Sequence, residues 1–280
     1  MRRSRIPKWQ IGTVIVLVLA AGALLLLTRP QPERTATPAP ASIEAPAAGP
    51  VHPLEPLAAE APLPPLEASD AAVIDVAANL LKDSRWRDLL QLDNAVRRWV
   101  VTIDALPRER LAQRMNSVHP VGGTFLVEGE QDALVLSSAN YSRYESYVAL
   151  AEAIDPAALV RAYRRLYPLF QQAYTELVRP NGYFNDRLIE VLDHLLATPD
   201  FPPKAELVQP SVAFRFKDAD LEAMSVGRKA LVRMGPANAR RVKAVLTRLR
   251  AEVIAAEKSR RVSAPGPRRT APLRRQVRHA

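Results

Sequence analysis

Apolar residues run without interruption at one place in the chain, Ile11–Leu27, a stretch with no charge and no proline. At about 1.5 Å rise per residue, this run and Thr28 reach roughly 27 Å, close to a hydrocarbon core of about 30 Å. In lipid a helix satisfies its own backbone hydrogen bonds, so residues 11–28 are predicted to form one transmembrane helix. Beyond it, apolar positions recur at helical spacing. Val73, Ile74, Val76, Ala77, Leu80 and Leu81 follow Ser69-Asp70, which reads as a cap. Val96, Trp99, Val100 and Ile103 follow a second start signal, Asp93-Asn94. A short helix is expected at Trp86–Leu92, and longer ones at Tyr141–Ala153, Pro156–Val178 behind Asp155, and Asn185–Ala197. Three more are expected, near Leu221–Met224, at Val226–Met234 and at Pro236–Lys258. Alternation predicts a hairpin of Thr124–Glu128 with Ala133–Ser137, and an isolated strand at Val212–Phe216. The expected fold is mainly α: a multi-helix globular domain with a minor β-hairpin or small strand element, preceded by one transmembrane helix.

The patterning lapses between Arg29 and Leu66, which hold eleven of the 25 prolines. Too little apolar surface is present there to offset ordering entropy, so residues 29–66 are expected to be a linker. The globular domain is expected over 67–258 and a basic disordered tail over 259–280. Arg2, Arg3, Arg5 and Lys8 precede the apolar run, against Arg29 and Arg34 after it. This bias predicts a cytoplasmic N-terminus, residues 1–10, with the domain in the periplasm of a bacterial inner membrane. A cleaved signal peptide fits less well, because the run is long and no small-residue cleavage site follows it.

Composition narrows the chemistry. The net charge of +10 lies at the ends: eight basic and no acidic residues from Lys258 onward, and four basic residues before the span, leaving about −2 for the rest. That distribution disfavours nucleic acid as a partner and points the tail toward anionic lipid or an acidic polymer. There is no cysteine, which excludes thiolate zinc sites, redox pairs and a cysteine nucleophile. The four histidines are scattered, so no metal site is expected, and no nucleotide-binding glycine motif or nucleophile elbow calls for a cofactor.

Two constellations remain. All seven tyrosines fall between Tyr141 and Tyr183, and Tyr163, Tyr167, Phe170 and Tyr174 share one helix face. Such a face is either a stacking surface or a helix interface whose hydroxyls find partners at its rim. The second constellation is Gly182-Tyr183-Phe184-Asn185-Asp186-Arg187, where a helix N-terminus meets a cation, a field suited to an anion. Candidate contact residues are therefore Tyr141, Tyr144, Tyr183, Asn185, Asp186 and Arg187. Asp186, Glu190, Asp193 and His194 follow one another on nearly one face and offer acid–base groups.

The stretches LPPLEASDAAV, VRRWVVTIDALPR, NYSRY, YPLFQQAYTEL, GYFNDRLIEVLDHLLATP and LVRMGPAN, in this order from Leu63 to about Leu249, resemble a bacterial family, domain of unknown function 3014. The resemblance implies a Gram-negative envelope protein with an N-terminal anchor and a proline-rich linker. It implies no activity and assigns no site. The resulting expectation is a single-pass inner-membrane protein presenting a non-enzymatic periplasmic binding or scaffolding domain to envelope proteins or cell-wall polymer. Its rivals are a cell-wall-directed hydrolase using the acid–base set and, with topology reversed, a cytoplasmic nucleic-acid binder acting through the tail.

Overall fold

Buried apolar stripes account for most helices in the computed structural model, which describes residues 49–57, 62–130, 133–210 and 214–263. The expected transmembrane helix and the tail beyond Ser263 lie outside these residues. The helices are α1 (Asp70–Leu80), α2 (Ala95–Ala105), α3 (Glu145–Glu152), α4 (Pro156–Leu177), α5 (Phe184–Leu196), α6 (Ala219–Ala223), α7 (Val226–Arg233) and α8 (Gly235–Ser263). Among the described residues, no helix is long and apolar enough to cross a membrane. The long helix α4 packs against α2, α5 and α8, and its Tyr163, Leu166, Phe170, Ala173 and Tyr174 line the core. The expected fold class, mainly helical with a small strand element, is the one found.

Several local expectations are corrected. The predicted helix at Trp86–Leu92 is a 3-10 turn over Ser84–Asp88, and the start of the Tyr141–Ala153 helix is a 3-10 turn over Ser138–Tyr144. Ser69 does not cap α1; its hydroxyl donates to the Leu66 carbonyl at 2.8 Å. The Asp70 carboxylate instead accepts from the backbone amides of Asn94 at 2.8 Å and Ala95 at 2.9 Å. It therefore caps the following helix, α2, whose Asn94 sits in the left-handed region with φ 50° and makes no side-chain cap.

The hairpin forms, as β1 (Val127–Glu128) and β2 (Leu134–Leu136). The strand expected to be isolated is β4 (Arg215–Phe216), and it is not isolated. It pairs with β3 (Glu206–Val208), a strand too short to show in the pattern, in an antiparallel sheet of order β1-β2-β3-β4. The register aligns Val127 with Leu136, Leu134 with Leu207, and Leu207 with Phe216. One face is thus apolar and packs with Leu221 of α6 and Val232 of α7. The other carries charge, including the pairs Lys204–Glu128 at 2.9 Å and Lys217–Glu206 at 2.6 Å.

The expected linker reaches too far along the chain. Within it, Gly49–Leu57 lies on the helical body as a strap, and Leu54 is buried in the main core. The Leu57 amide donates to the Arg164 carbonyl at 3.2 Å, and Arg164 Nε donates to the Glu55 carbonyl at 3.0 Å. Arg164 precedes Pro168 by one helical turn. Proline has no N–H, so the carbonyl that residue 168 would ordinarily bond within α4 is left for the strap.

Gly235 opens α8 at φ 84°, and a Cβ there would lie 2.6 Å from the Tyr141 ring. Gly235→Ala is expected to destabilise the body by about 2 kcal/mol or more, a fall of roughly 4–8 °C in Tm. Gly122→Ala, at a position with ordinary φ and open space, is the control. Equal melting temperatures for the two variants would refute the strain argument.

Candidate functional site

The turn expected to bind an anion is built from contacts that consume its polar groups. Gly182 has no left-handed conformation; its place is fixed by space, because a Cβ would lie 2.7 Å from the Tyr174 ring. Tyr183 is the N-cap residue just ahead of α5 and makes no side-chain cap, and neither Asn185 nor Asp186 caps the helix as expected. Gln171 of α4 does that work, its Oε1 accepting from the Phe184 amide at 2.9 Å. Asn185 is fully buried; its Nδ2 donates to the His52 carbonyl at 2.9 Å and to Glu257 Oε1 at 3.1 Å, while its Oδ1 accepts from the Tyr163 hydroxyl at 3.2 Å. Asp186 accepts from the strap amides of Val51 at 3.0 Å and His52 at 2.7 Å. His52 Nδ1 lies 3.1 Å from Glu257 Oε2.

Arg187 is not an open cation. Its Nε donates to Asp104 Oδ1 at 2.9 Å, a second nitrogen to the Asp104 carbonyl at 2.8 Å, and the third to Glu190 at 2.6 Å. The side chains of Arg187 and Asp104 are 14% and 9% exposed, so this is a tie between α5 and α2 rather than a surface pair. Burial works against the Arg187 charge, but the bond to Glu190 and the charges of Asp104 and Glu190 outweigh it and raise its pKa.

Tyr141 and Tyr144 are not brought beside Asn185 and Arg187. They sit on the 3-10 turn before α3, where the Tyr141 hydroxyl donates to the Pro203 carbonyl and its own carbonyl accepts from Asn238 at 3.0 Å. Tyr144 is fully buried, its hydroxyl has no hydrogen-bond partner among the described residues, and burial pushes its pKa up. Between them Arg143 donates to the carbonyls of Val121, Gly122 and Gly123. The tyrosine face of α4 is core as well: Tyr163 packs edge-on to Phe170, with ring centroids 5.8 Å apart, and the Tyr167 hydroxyl bonds Gln171 at 3.0 Å.

The four acid–base candidates are engaged separately. Asp186 holds the strap, Glu190 pairs with Arg187, Asp193 pairs with Arg250, and His194 Nε2 lies 2.8 Å from the Ser225 hydroxyl. Burial, with Arg228 and Arg187 nearby, pushes the His194 imidazole below its usual range. Among the described residues, no three histidine, aspartate or glutamate side chains gather in a way that could hold a metal ion.

A concave feature of the described residues lies elsewhere. A groove of about 710 Å³ runs between the C-terminal end of α1, the Ser84–Asp88 turn and α3. Its floor is Leu80, Leu81, Trp86, Leu89, Ala149, Leu150 and Ala153, and Lys82, Asp83, Arg85, Asp88 and Glu145 stand at its rim. Two small residues, Ala149 on the outer face of α3 and Ala153 at its C-cap, leave the space. Periodicity had flagged each wall as a helix but could not show that segments some sixty positions apart face each other.

A family model described as protein of unknown function, DUF3014, matches residues 95–250. The match runs from the start of α2 into α8, and it includes the α3 wall of the groove but not the α1 wall or the strap. No curated protein and no solved structure matches the chain.

Arg187→Ala strips the buried partner from Asp104 Oδ1 and from the Asp104 carbonyl, leaving the carboxylate only the exposed Arg108 on Oδ2, and is expected to destabilise the body by about 2–4 kcal/mol in denaturant unfolding. Glu190→Ala, which removes only the exposed partner, should cost under about 1 kcal/mol. Equal costs would overturn the ranking. A chain beginning at Leu63 lacks the strap and should be less stable by about 2–4 kcal/mol than one beginning at Gly49, mainly through the loss of Leu54 burial. Matching melting temperatures would make the strap a passive contact.

Proposed function

We propose that this chain, which belongs to the DUF3014 family, is a single-pass inner-membrane protein whose helical body binds a partner in the periplasm without performing chemistry on it. The observation that carries the reading is the groove beside Trp86. Its floor is apolar and its rim bears both signs of charge, an arrangement that suits an amphipathic helix of an envelope protein. The groups best suited to acid–base work support the non-enzymatic part, since Glu190, Asp193 and His194 each serve a separate structural pair. The apolar run Ile11–Leu27 and the basic residues ahead of it support the anchor and its orientation.

The test is a photo-reactive residue at Ser146, on the groove wall, compared with one at Thr247, on the exposed side of α8. In intact cells Ser146 should crosslink to one envelope protein and Thr247 should not, and Ala149→Arg should abolish the product at an unchanged melting temperature. Indistinguishable crosslinking at the two positions would remove the groove from the reading. Protease added to spheroplasts should digest the body; protection there would reverse the topology.

A further inference from the structure

We propose that the seat of the strap is a recognition site for an extended, proline-containing segment of a partner protein, a site that the chain's own Gly49–Leu57 occupies in cis. The inference is independent of the groove beside Trp86 and of the membrane reading.

The strap is held by its backbone. Asp186 accepts from the amides of Val51 at 3.0 Å and His52 at 2.7 Å, and Asn185 Nδ2 donates to the His52 carbonyl at 2.9 Å. Three residues further on, Arg164 Nε donates to the Glu55 carbonyl at 3.0 Å, and the Arg164 carbonyl accepts from the Leu57 amide at 3.2 Å. Bonds of this kind read a conformation and leave most side chains unread, which is how peptide-binding domains hold extended ligands. Val51 is 75% exposed, and Glu55 and Pro56 are exposed as well. Within the strap, Leu54 is the buried residue.

The occupant has a period. Pro50, Pro53 and Pro56 recur every three residues, the spacing of Pro-x-x-Pro ligands, whose stiffness limits the entropy lost on binding. The amides that the seat uses belong to Val51, His52 and Leu57, between the prolines, which have none to give. The two carbonyls it uses, of His52 and Glu55, are likewise three residues apart. The seat therefore specifies a pattern: two successive free amides, a proline, a leucine, and a second proline three positions after the first.

An empty seat is costly. Pro168 denies the Arg164 carbonyl its helical partner, and Asn185 is fully buried. Withdrawing the strap would take the His52 carbonyl from Asn185 and the Leu57 amide from Arg164, and it would open the hollow that Leu54 fills. Its departure is favoured only by a segment that replaces these contacts, so exchange is a competition for one seat. Arg164, Asn185 and Asp186 fall within the family-matched residues 95–250, whereas the strap precedes them. The seat belongs to the part of the chain that the family shares.

The chain has no cysteine, so Leu54→Cys in the full chain gives one thiol, shielded while the strap is seated. Its alkylation rate reports opening of the strap. Two synthetic peptides serve as probes: residues 49–57, and the same peptide with Val51 and His52 replaced by alanine, which keeps the prolines, Leu54 and every backbone group. Each should capture the open seat and raise the alkylation rate several-fold and saturably, in a chain that still melts cooperatively. The peptide with Leu54 replaced by aspartate should not. Asp186→Ala, added to the chain, should raise the rate without peptide and blunt the response to it. No acceleration by either probe would overturn the inference, and the strap would be a fixed part of the fold. Acceleration by the strap sequence but not by its alanine-bearing form would restrict the seat to the chain's own segment, and would overturn it equally. A response that Asp186→Ala leaves intact would place the peptide elsewhere on the body, and the inference would fall.

Discussion

Burial of the aromatic face of α4 is the constraint on which the body depends. Phe170 stacks on Phe184 with ring centroids 5.4 Å apart and faces Trp99 at 6.1 Å, so one side chain touches the leading residue of α5 and the middle of α2. Tyr163 and Tyr174 close the same cluster against Phe184, at 6.2 and 5.7 Å. Rings of this size contribute large buried area at low side-chain entropy. Once they are packed, α2 and α5 are near enough for the Asp104–Arg187 tie, and Phe184 is placed for Gln171 to satisfy the start of α5. Packing brings the polar groups together, and the polar groups then fix one register. The core also tolerates a cost, since Trp99 Nε1 and the Tyr144 hydroxyl are buried without a hydrogen-bond partner among the described residues.

The stretches that carry the family resemblance touch one another in pairs. NYSRY meets LVRMGPAN through the Tyr141 ring at Gly235 and the Asn238–Tyr141 hydrogen bond. GYFNDR meets VRRWVVTIDALPR through Arg187 and Asp104, and YPLFQQAYTEL through Gln171 and Tyr174. Residues that looked like a ligand site from their chemistry are interlocking parts of a scaffold. Asn140 shows the same economy: its side chain bonds both the amide and the carbonyl of Leu126, which pins the hairpin to the turn before α3.

What the sequence disclosed and what it withheld divide along the range of the interaction. Val73 to Leu81 and Val96 to Ile103 announced helices because burial follows a local period. Strand β3 gave no such signal: three residues between loops, held by pairing with Leu134 and Val135 about seventy positions earlier. Asp70 was recognisable as a capping residue, but which helix it caps is a tertiary fact. The strap was hidden for another reason. Its prolines make it read as unpacked chain, and only Leu54, a single apolar residue, marks it as part of the core. The candidate turn failed as an open site because sequence shows that Arg187 carries charge and not that Asp104 lies against it. The groove was invisible because neither wall is unusual alone.

Pro168 has a mechanical meaning. By withholding one hydrogen bond from α4 it leaves an acceptor at Arg164, and the Leu57 amide fills it. With the Asp186 bonds to Val51 and His52, this forms a clip that holds the strap to the body. Tension arriving along the chain from its N-terminal side would load this clip in shear, at α4 and α5, before it could reach α1 or the walls of the groove. The helical body would then keep its shape under a pull until the clip gave way. Its release would free the strap from the body while leaving the aromatic core intact.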